Sequence, residues 1–375
     1  MKALFLVFHG FDPANGISKK IHYQVEALNA CGLDTKLCYL SEVEGYKKRM
    51  VDDTVIGDYG KGIIGKILKR IEFDSVVRYI FLHNIDLVYI RSAHNAHPLV
   101  VRMLKKVHDA GICTVLEIPT FPYDKEYCGF REKMELLPDK CFRRSLMKYI
   151  DRIVTFSENK EIFGVPAIRI SNGIDFDHIQ VKDTLRHIDD NLSLIGVAEI
   201  HYWHGFDRLI SGLGEYYKGN PSCKVYFHIV GEFFGEREKK EIMPLIHRYG
   251  LEKYVILHGA KHGHELDILF DRADMGVGSL ARHRSGISSI KTLKNREYAA
   301  RGIPFIYSEN DNDFDNRDYI LKVAADESPI DISALIRFRR EIKVTPAEIR
   351  KSIDNLSWKR QMGIVIENVE LFRRQ

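Results

Sequence analysis

Lys294 and Glu297 stand three positions apart in "SGISSIKTLKNREYAARGIPF", residues 285–305. On a helix that spacing puts both side chains on one face. A lysine so placed reaches a phosphate, and a carboxylate accepts two neighbouring hydroxyls, such as those of a ribose. An ordinary surface ion pair has the same spacing, so the pair alone leaves both readings open. Immediately upstream, "ARHRSGISS" brings Arg282, His283 and Arg284 together, with Gly286 to free the backbone and Ser288 or Ser289 to cap a helix. Cations beside a helix N-terminus make a diphosphate site. A solvated basic loop has the same composition.

The first half of the chain offers two more candidates. In "NGIS", residues 15–18, Gly16 lets a ligand approach the backbone. Ile17 lies in the first turn of the helix that follows, where free N–H groups attract an anion. A plain strand-to-helix turn is the alternative. Glu117, in "LEIPTFPY", follows an apolar run, and a carboxylate at a strand's end faces the ligand crevice in α/β sheets. It also suits a loop cap. No G-x-G-x-x-G follows the first strand, where a dinucleotide fingerprint belongs, and no G-x-x-x-x-G-K-[ST] occurs, which disfavours a dehydrogenase and a P-loop enzyme.

These residues need elements to hold them. Short apolar runs alternate with amphipathic stretches: "ALFLVF", a helix over about 17–31, "TKLCYL", "LVYIRS", a helix over about 98–110, "CTVLEI", "RIVTFS" and "AIRISN". The series restarts with "LSLIGVA", a helix over about 207–217, "KVYFHIVG", a helix over about 236–249, "VILHG" and "MGVGSL". Such alternation predicts two parallel sheets with helices on both faces, and ligands at the carboxyl ends of the strands. The chain's 375 residues suit two domains. Polar, aperiodic residues 172–191 read as the linker. The expected division is 1–180, 190–355 and a helical segment 356–375 that either ends the second domain or packs back on the first.

Hydrophobic residues at 45% and charged residues at 29% are ordinary globular composition. A net charge of +4 implies no broad nucleic-acid face. The six cysteines form no C-x-x-C pair, which argues against a zinc or redox site and suits reduced thiols in a cytosol. No run approaches the roughly 20 apolar residues needed to cross a bilayer. A cytoplasmic protein is expected. Residues 61–71, "KGIIGKILKRI", place Ile63, Ile64, Ile67, Leu68 and Ile71 on one face beside Lys61, Lys66, Lys69 and Arg70. Arg143, Arg144 and Lys148 add a second basic segment. A basic amphipathic helix lies on the inner face of an anionic membrane, or else covers its own sheet with a solvated outer face.

The order of "ISNGID", "HGFDRLI", "HIVGE", "VILHGAKHGHEL", "ADMGVGSL" and "LKNREYAARGIPFI" resembles the retaining nucleotide-sugar glycosyltransferases of family 4, which have the GT-B fold. The likeness is strong over about 193–307 and looser over "GISKKI" and "YIRS…LEIPTFPY". It implies an α/β chain with two Rossmann-like, doubly wound domains facing each other across a cleft. It further implies transfer of a hexosyl group from a nucleotide diphosphate sugar to a sugar or lipid-linked sugar acceptor, in polysaccharide or glycoconjugate biosynthesis.

By this resemblance Glu297 is the second acid of an E-x₇-E motif and binds the donor ribose, while Lys294 neutralises the leaving diphosphate. Gly16 and Ile17 approach that diphosphate from the other domain. Gly231, Arg284 and Gly286 complete the donor side, and His94, Thr120 and Tyr123 the acceptor side. Three positions depart from the pattern. Ser289 stands where the first acid belongs, His204 where a lysine does, and Glu117 where a histidine often does. The expected catalytic set is Glu117, Lys294 and Glu297. With no Asp-x-Asp in a plausible site, neither a metal nor another cofactor is expected. A catalytically impaired partner subunit and a sugar-nucleotide epimerase of the same architecture stay open as alternatives.

Overall fold

The computed structural model describes residues 1–11, 16–127 and 129–373. The chain divides into two compact units, Met1–Gly173 with the segment from Trp358 onward, and Ile174–Ser357.

The first unit is built on strands β1 (Lys2–Leu6), β2 (Asp34–Val43), β3 (Tyr46–Val51), β4 (Thr54–Asp58), β5 (Leu87–Arg91), β6 (Cys113–Ile118), β7 (Arg152–Thr155), β8 (Glu161–Ile162) and β9 (Val165–Arg169). They form one sheet in the order β4-β3-β2-β1-β5-β6-β7-β9-β8. Its central strands are parallel and buried on both faces, which is why they read as unbroken apolar runs. The helices of this unit are α1 (Gly16–Ala30), α2 (Gly62–Ile71), α3 (Asp74–Leu82), α4 (Pro98–Asp109) and α5 (Phe130–Met147). Leu4, Leu6, Val88, Ile90, Val100, Leu104 and Leu116 lie in its core.

The antiparallel hairpin β3–β4 at the sheet edge was not legible as strand. Just after it, Gly60, Gly62 and Gly65 match G-x-G-x-x-G in letter. Each has a local reason instead. Gly60 and Gly62 have positive φ (68° and 70°), and a Cβ on Gly65 would come within 2.6 Å of the Gly60 carbonyl oxygen.

The second unit has strands β10 (Asn191–Val197), β11 (Lys224–Val230), β12 (Val255–Leu257), β13 (Met275–Val277), β14 (Phe305–Tyr307) and β15 (Ile320–Lys322), in the order β12-β11-β10-β13-β14-β15, all parallel. Its helices are α6 (Phe206–Tyr217), α7 (Glu236–Tyr249), α8 (His264–Arg272), α9 (Leu293–Ala300), α10 (Ile332–Glu341) and α11 (Pro346–Lys351). The last helix, α12 (Trp358–Arg373), belongs to the first unit, where Gln361 Oε1 accepts from the Ser171 amide at 2.7 Å. No described helix is long and apolar enough to cross a membrane.

Two expectations are corrected here. Residues 174–190 are not a free linker but part of the second unit. Ile188 lies in its core, Arg186 grips the buried Asp274, and Arg350 donates to the carbonyls of Phe176 and Ile179. The helix after "ARHRSGISS" starts at Leu293 rather than at Ser288 or Ser289. Ser288 accepts from the Asn310 amide at 2.8 Å and Ile290 donates to the Asn310 carbonyl at 3.1 Å, which holds 288–290 extended.

Candidate functional site

In a doubly wound sheet the ligand crevice opens where the strand order reverses. In the second unit that point lies between β10 and β13, whose chain continues in opposite directions across the sheet. His204 follows β10 there, Arg282 follows β13, Glu309 follows β14, and Lys294 and Asn295 open α9. Asn295 Nδ2 donates to Glu309 Oε1 at 3.3 Å.

What distinguishes this cluster is polar groups left unmatched. Lys294 Nζ, Asn295 Oδ1, Glu309 Oε2 and Thr292 Oγ1 are all enclosed without a hydrogen-bond partner. More than nine in ten buried polar atoms in folded proteins have one, and an unmatched atom costs about 1–3 kcal/mol. Burial lowers the Lys294 ammonium to about 7, with Glu309 as its foremost charged counterweight and Arg282 adding to the fall. Burial likewise raises the Glu309 carboxyl to about 7, against the pull of Lys294. A cationic group at a helix N-terminus, stripped of water and lacking a counter-ion within bonding reach, is suited to an incoming anion.

The three charged residues of α9 have three separate surroundings. Lys294 points into this cluster. Arg296 is fully buried and bidentate to Asp311 (2.7 and 3.0 Å), with Asp313 also bound. Asp311 and Asp313 have Asp-x-Asp spacing, yet both carboxylates hold Arg296. Glu297 is half-buried, and its Oε1 accepts from Arg301 Nε and Nη2 at 3.2 and 3.0 Å. Lys294 and Glu297 therefore do not pair with each other.

Other expected donor residues divide. Gly16 is exposed at the start of α1, where a Cβ would meet no described atom within 4 Å; protein packing does not demand glycine there. Ile17 is exposed in the same turn, and Asn15 lies outside the described residues. Gly286 caps a short 3₁₀ turn with φ 68°. Ser289 is half-buried in the bridge to Asn310, one residue from Glu309.

Three of these residues have surroundings that the sequence did not disclose. Arg284 is not a free cation: its guanidinium is bidentate to Asp207 (2.9 and 2.8 Å) and also bound by Glu327. His204 does not replace a lysine's charge. It is buried, its Nδ1 accepts from the His201 amide at 2.9 Å, and burial followed by the nearby Lys294 holds its pKa well below the usual range. That leaves it a neutral ring with its proton on Nε2. Gly231 is required by the backbone, since at φ 130° a Cβ would lie 1.8 Å from the Ala198 carbonyl oxygen.

In the first unit the order reverses between β1 and β5. A crevice of about 690 Å³ opens there, lined by Phe8, Phe73, His94 and His97 among others, with Lys69 and Arg70 at its side. His94 stacks on Tyr123 (centroids 3.9 Å apart) and shares a 2.7 Å hydrogen bond between Nδ1 and the Tyr127 hydroxyl. Its Nε2 is buried without a partner, and burial lowers the ring to about 4. Thr120 is half-buried after β6.

Tyr123 is corrected from ligand contact to core support, because its hydroxyl bonds Asp139 at 2.7 Å. Glu117 is corrected most sharply. It is fully buried and its four contacts are Lys20 (3.2 Å), Arg91 (2.5 Å), Tyr89 (2.7 Å) and Gln24 (2.6 Å). Burial opposes its ionisation, but Lys20 and Arg91 outweigh it and hold the carboxyl at about 2. With both oxygens engaged it is a core counter-ion, not a group available to a reaction.

Sequence reasoning missed Glu309, Asn295 and Thr292, and it named Arg282 among the cations of a diphosphate site with a solvated loop as the alternative. The available signal was position: "SEN" follows the apolar run of β14, as the other site segments follow theirs.

In sequence the chain matches no family model and no curated protein. Its structure is similar to sucrose-phosphate synthase of Thermosynechococcus elongatus (TM-score 0.61, 14% identity) and to HepE of Anabaena solved with UDP (0.58, 14%). It is also similar to a glycosyltransferase of Rickettsia africae (0.61, 12%), and in all three cases 100% of this chain and 98% of the other are covered. The fold is thus the two-domain α/β architecture of the GT-B class.

Proposed function

We propose that this protein is a retaining, metal-independent glycosyltransferase of family 4, moving a hexosyl group from a nucleotide diphosphate sugar to a sugar or lipid-linked sugar acceptor in the cytoplasm or at the membrane's inner face. The observation that carries this reading is Lys294: an enclosed, unpartnered ammonium at the N-terminus of α9, at the switch point of a parallel sheet. Similar folds support it, since HepE of Anabaena is solved with UDP and with UDP-glucose.

The main barrier in such a transfer is charge gathering on the leaving diphosphate. Lys294 and the first N–H groups of α9 stabilise that charge, which is worth most in a site closed to water. The His204 Nε2–H adds a neutral donor. Glu297, three residues after Lys294, accepts the ribose hydroxyls with its second oxygen while Arg301 fixes the first.

A second reading has its own support. With Ser289 in place of the motif acid and His204 neutral, a partner subunit that binds nucleotide without turnover fits the same residues. The test is thermal unfolding against UDP-, GDP- and CMP-sugars and free nucleotides. A ligand at 100 times its Kd adds about 2.7 kcal/mol. A shift with one nucleotide family supports a donor site, and transfer to an acceptor then separates enzyme from partner. No shift with any nucleotide would sink the donor site itself.

A further inference from the structure

Helix α2 lies on strand β3 of its own sheet but leaves its isoleucine stripe uncovered. Gly65 is its one buried residue. Ile63, Ile64 and Ile67 are 76%, 71% and 51% exposed, and Ile71 is exposed as well. The reason is local. Gly65 lets the helix backbone lie against the carbonyls of Tyr59 and Gly60, and any side chain there would collide with them. Contact is made through the glycine side, which turns the isoleucine stripe outward. A stripe of four isoleucines facing water is costly unless something covers it.

We propose that α2 is an interfacial helix that docks this protein on an anionic membrane, with the crevice beside it receiving the headgroup of a lipid-linked acceptor; the acceptor's identity rests on the transfer reading above, the docking does not. Charge chooses the occupant. The helix carries Lys66, Lys69 and Arg70 and no acidic residue, and Lys61 precedes it. Lys61 lies 4.1 Å over the ring of the exposed Tyr46, as a lysine does when its stem runs along apolar surface and its head reaches outward. Isoleucines rimmed by lysine and arginine match the acyl–headgroup boundary of an anionic leaflet. A second copy of this face would set Lys66 and Arg70 against their own images. Continuity chooses the substrate. Arg70 and Lys69, the latter paired with Glu42 at 3.5 Å, also line the 690 Å³ crevice at the β1–β5 switch point with Glu42 and Glu135, so the docked helix borders its entrance. An acceptor held in the bilayer by its lipid would present its anionic headgroup there.

The experiment is co-sedimentation of the full chain with phosphatidylcholine vesicles, with and without phosphatidylglycerol, at low and high salt. The wild type is expected to bind phosphatidylglycerol vesicles at low salt and to be released by salt. Because the residues are exposed, Ile64→Glu with Ile67→Glu should leave folding intact and lower binding at least about tenfold. Lys61→Glu with Lys66→Glu should weaken binding to anionic vesicles alone. Absence of wild-type binding at low salt overturns the proposal. So does a dimer, seen by light scattering, that the isoleucine variant dissolves. Thermal shift with UDP on the same samples keeps the two readings apart. Vesicle binding without any nucleotide shift leaves docking standing and counts against transfer, whereas nucleotide shift without vesicle binding does the reverse.

Discussion

Lys294 and Glu309 are each other's foremost charged neighbour, and the ammonium of one and Oε2 of the other are both enclosed without a hydrogen bond. A buried ion pair normally closes up, because desolvation is offset only by close contact. Here the contact is not made. Two polar groups held apart under those conditions both keep hydrogen-bonding capacity that a ligand can use.

Replacing Lys294 with methionine removes an unmatched buried amine while keeping its volume. The expected result is a protein more stable by roughly 1–3 kcal/mol in denaturant unfolding. The same variant should lose about 1–4 kcal/mol of nucleotide diphosphate affinity by calorimetry. Loss of stability with unchanged affinity would make Lys294 structural.

Burial has the opposite effect on the protons of the two partners, and this gives a pH signature. Between about 4.5 and about 7 the folded Glu309 holds a proton that the unfolded chain has released, so stability falls as pH rises. From about 7 to about 10.5 the unfolded lysine holds a proton that folded Lys294 lacks, so stability rises again. Melting temperature should pass through a trough near neutral pH. In Glu309→Gln the lower limb should be lost, so the difference in Tm between variant and wild type grows from pH 5 to pH 7.

Glu117→Gln should cost about 3–5 kcal/mol, because it leaves Lys20 and Arg91 buried without their counter-ion. The sign with pH is that of a carboxyl held low. Its contribution is complete above the ordinary value of about 4.5 and disappears as pH falls through about 2. Urea unfolding of variant and wild type at pH 7 and pH 3 checks both. Reduced turnover in a variant of unchanged stability would restore Glu117 to the reaction.

Arg284→Ala should act on folding rather than on ligand. It unties Asp207 and Glu327, the latter held at about 2 chiefly by its hydrogen bond from Arg284, with its own burial acting the other way. A fall in Tm with nucleotide affinity unchanged within about twofold is expected, since both guanidinium edges are already occupied. A tenfold loss of affinity would show that the arginine leaves its carboxylates for a ligand.

Much of this molecule was decided locally. The parallel strands announced themselves as apolar runs because both faces of such sheets are covered, and their order placed the ligand crevices at the strands' carboxyl ends. The position of Lys294 in α9 lay within a single segment. What the chain could not disclose is which charges meet. Glu117, Arg284 and His204 all read as site groups. The counter-ions of Glu117 and Arg284, and the burial that keeps His204 neutral, come from residues up to 97 positions away, as Lys20 does for Glu117, and no periodicity records such a meeting. The same holds for α2, whose pattern fits a helix lying on a sheet or on a membrane equally well. Only the way α2 is laid on β3, with its Gly65 side against the Tyr59–Gly60 backbone, turned its isoleucines toward water. Spacing along a chain specifies faces; burial and pairing, which set charge, are settled when the faces meet.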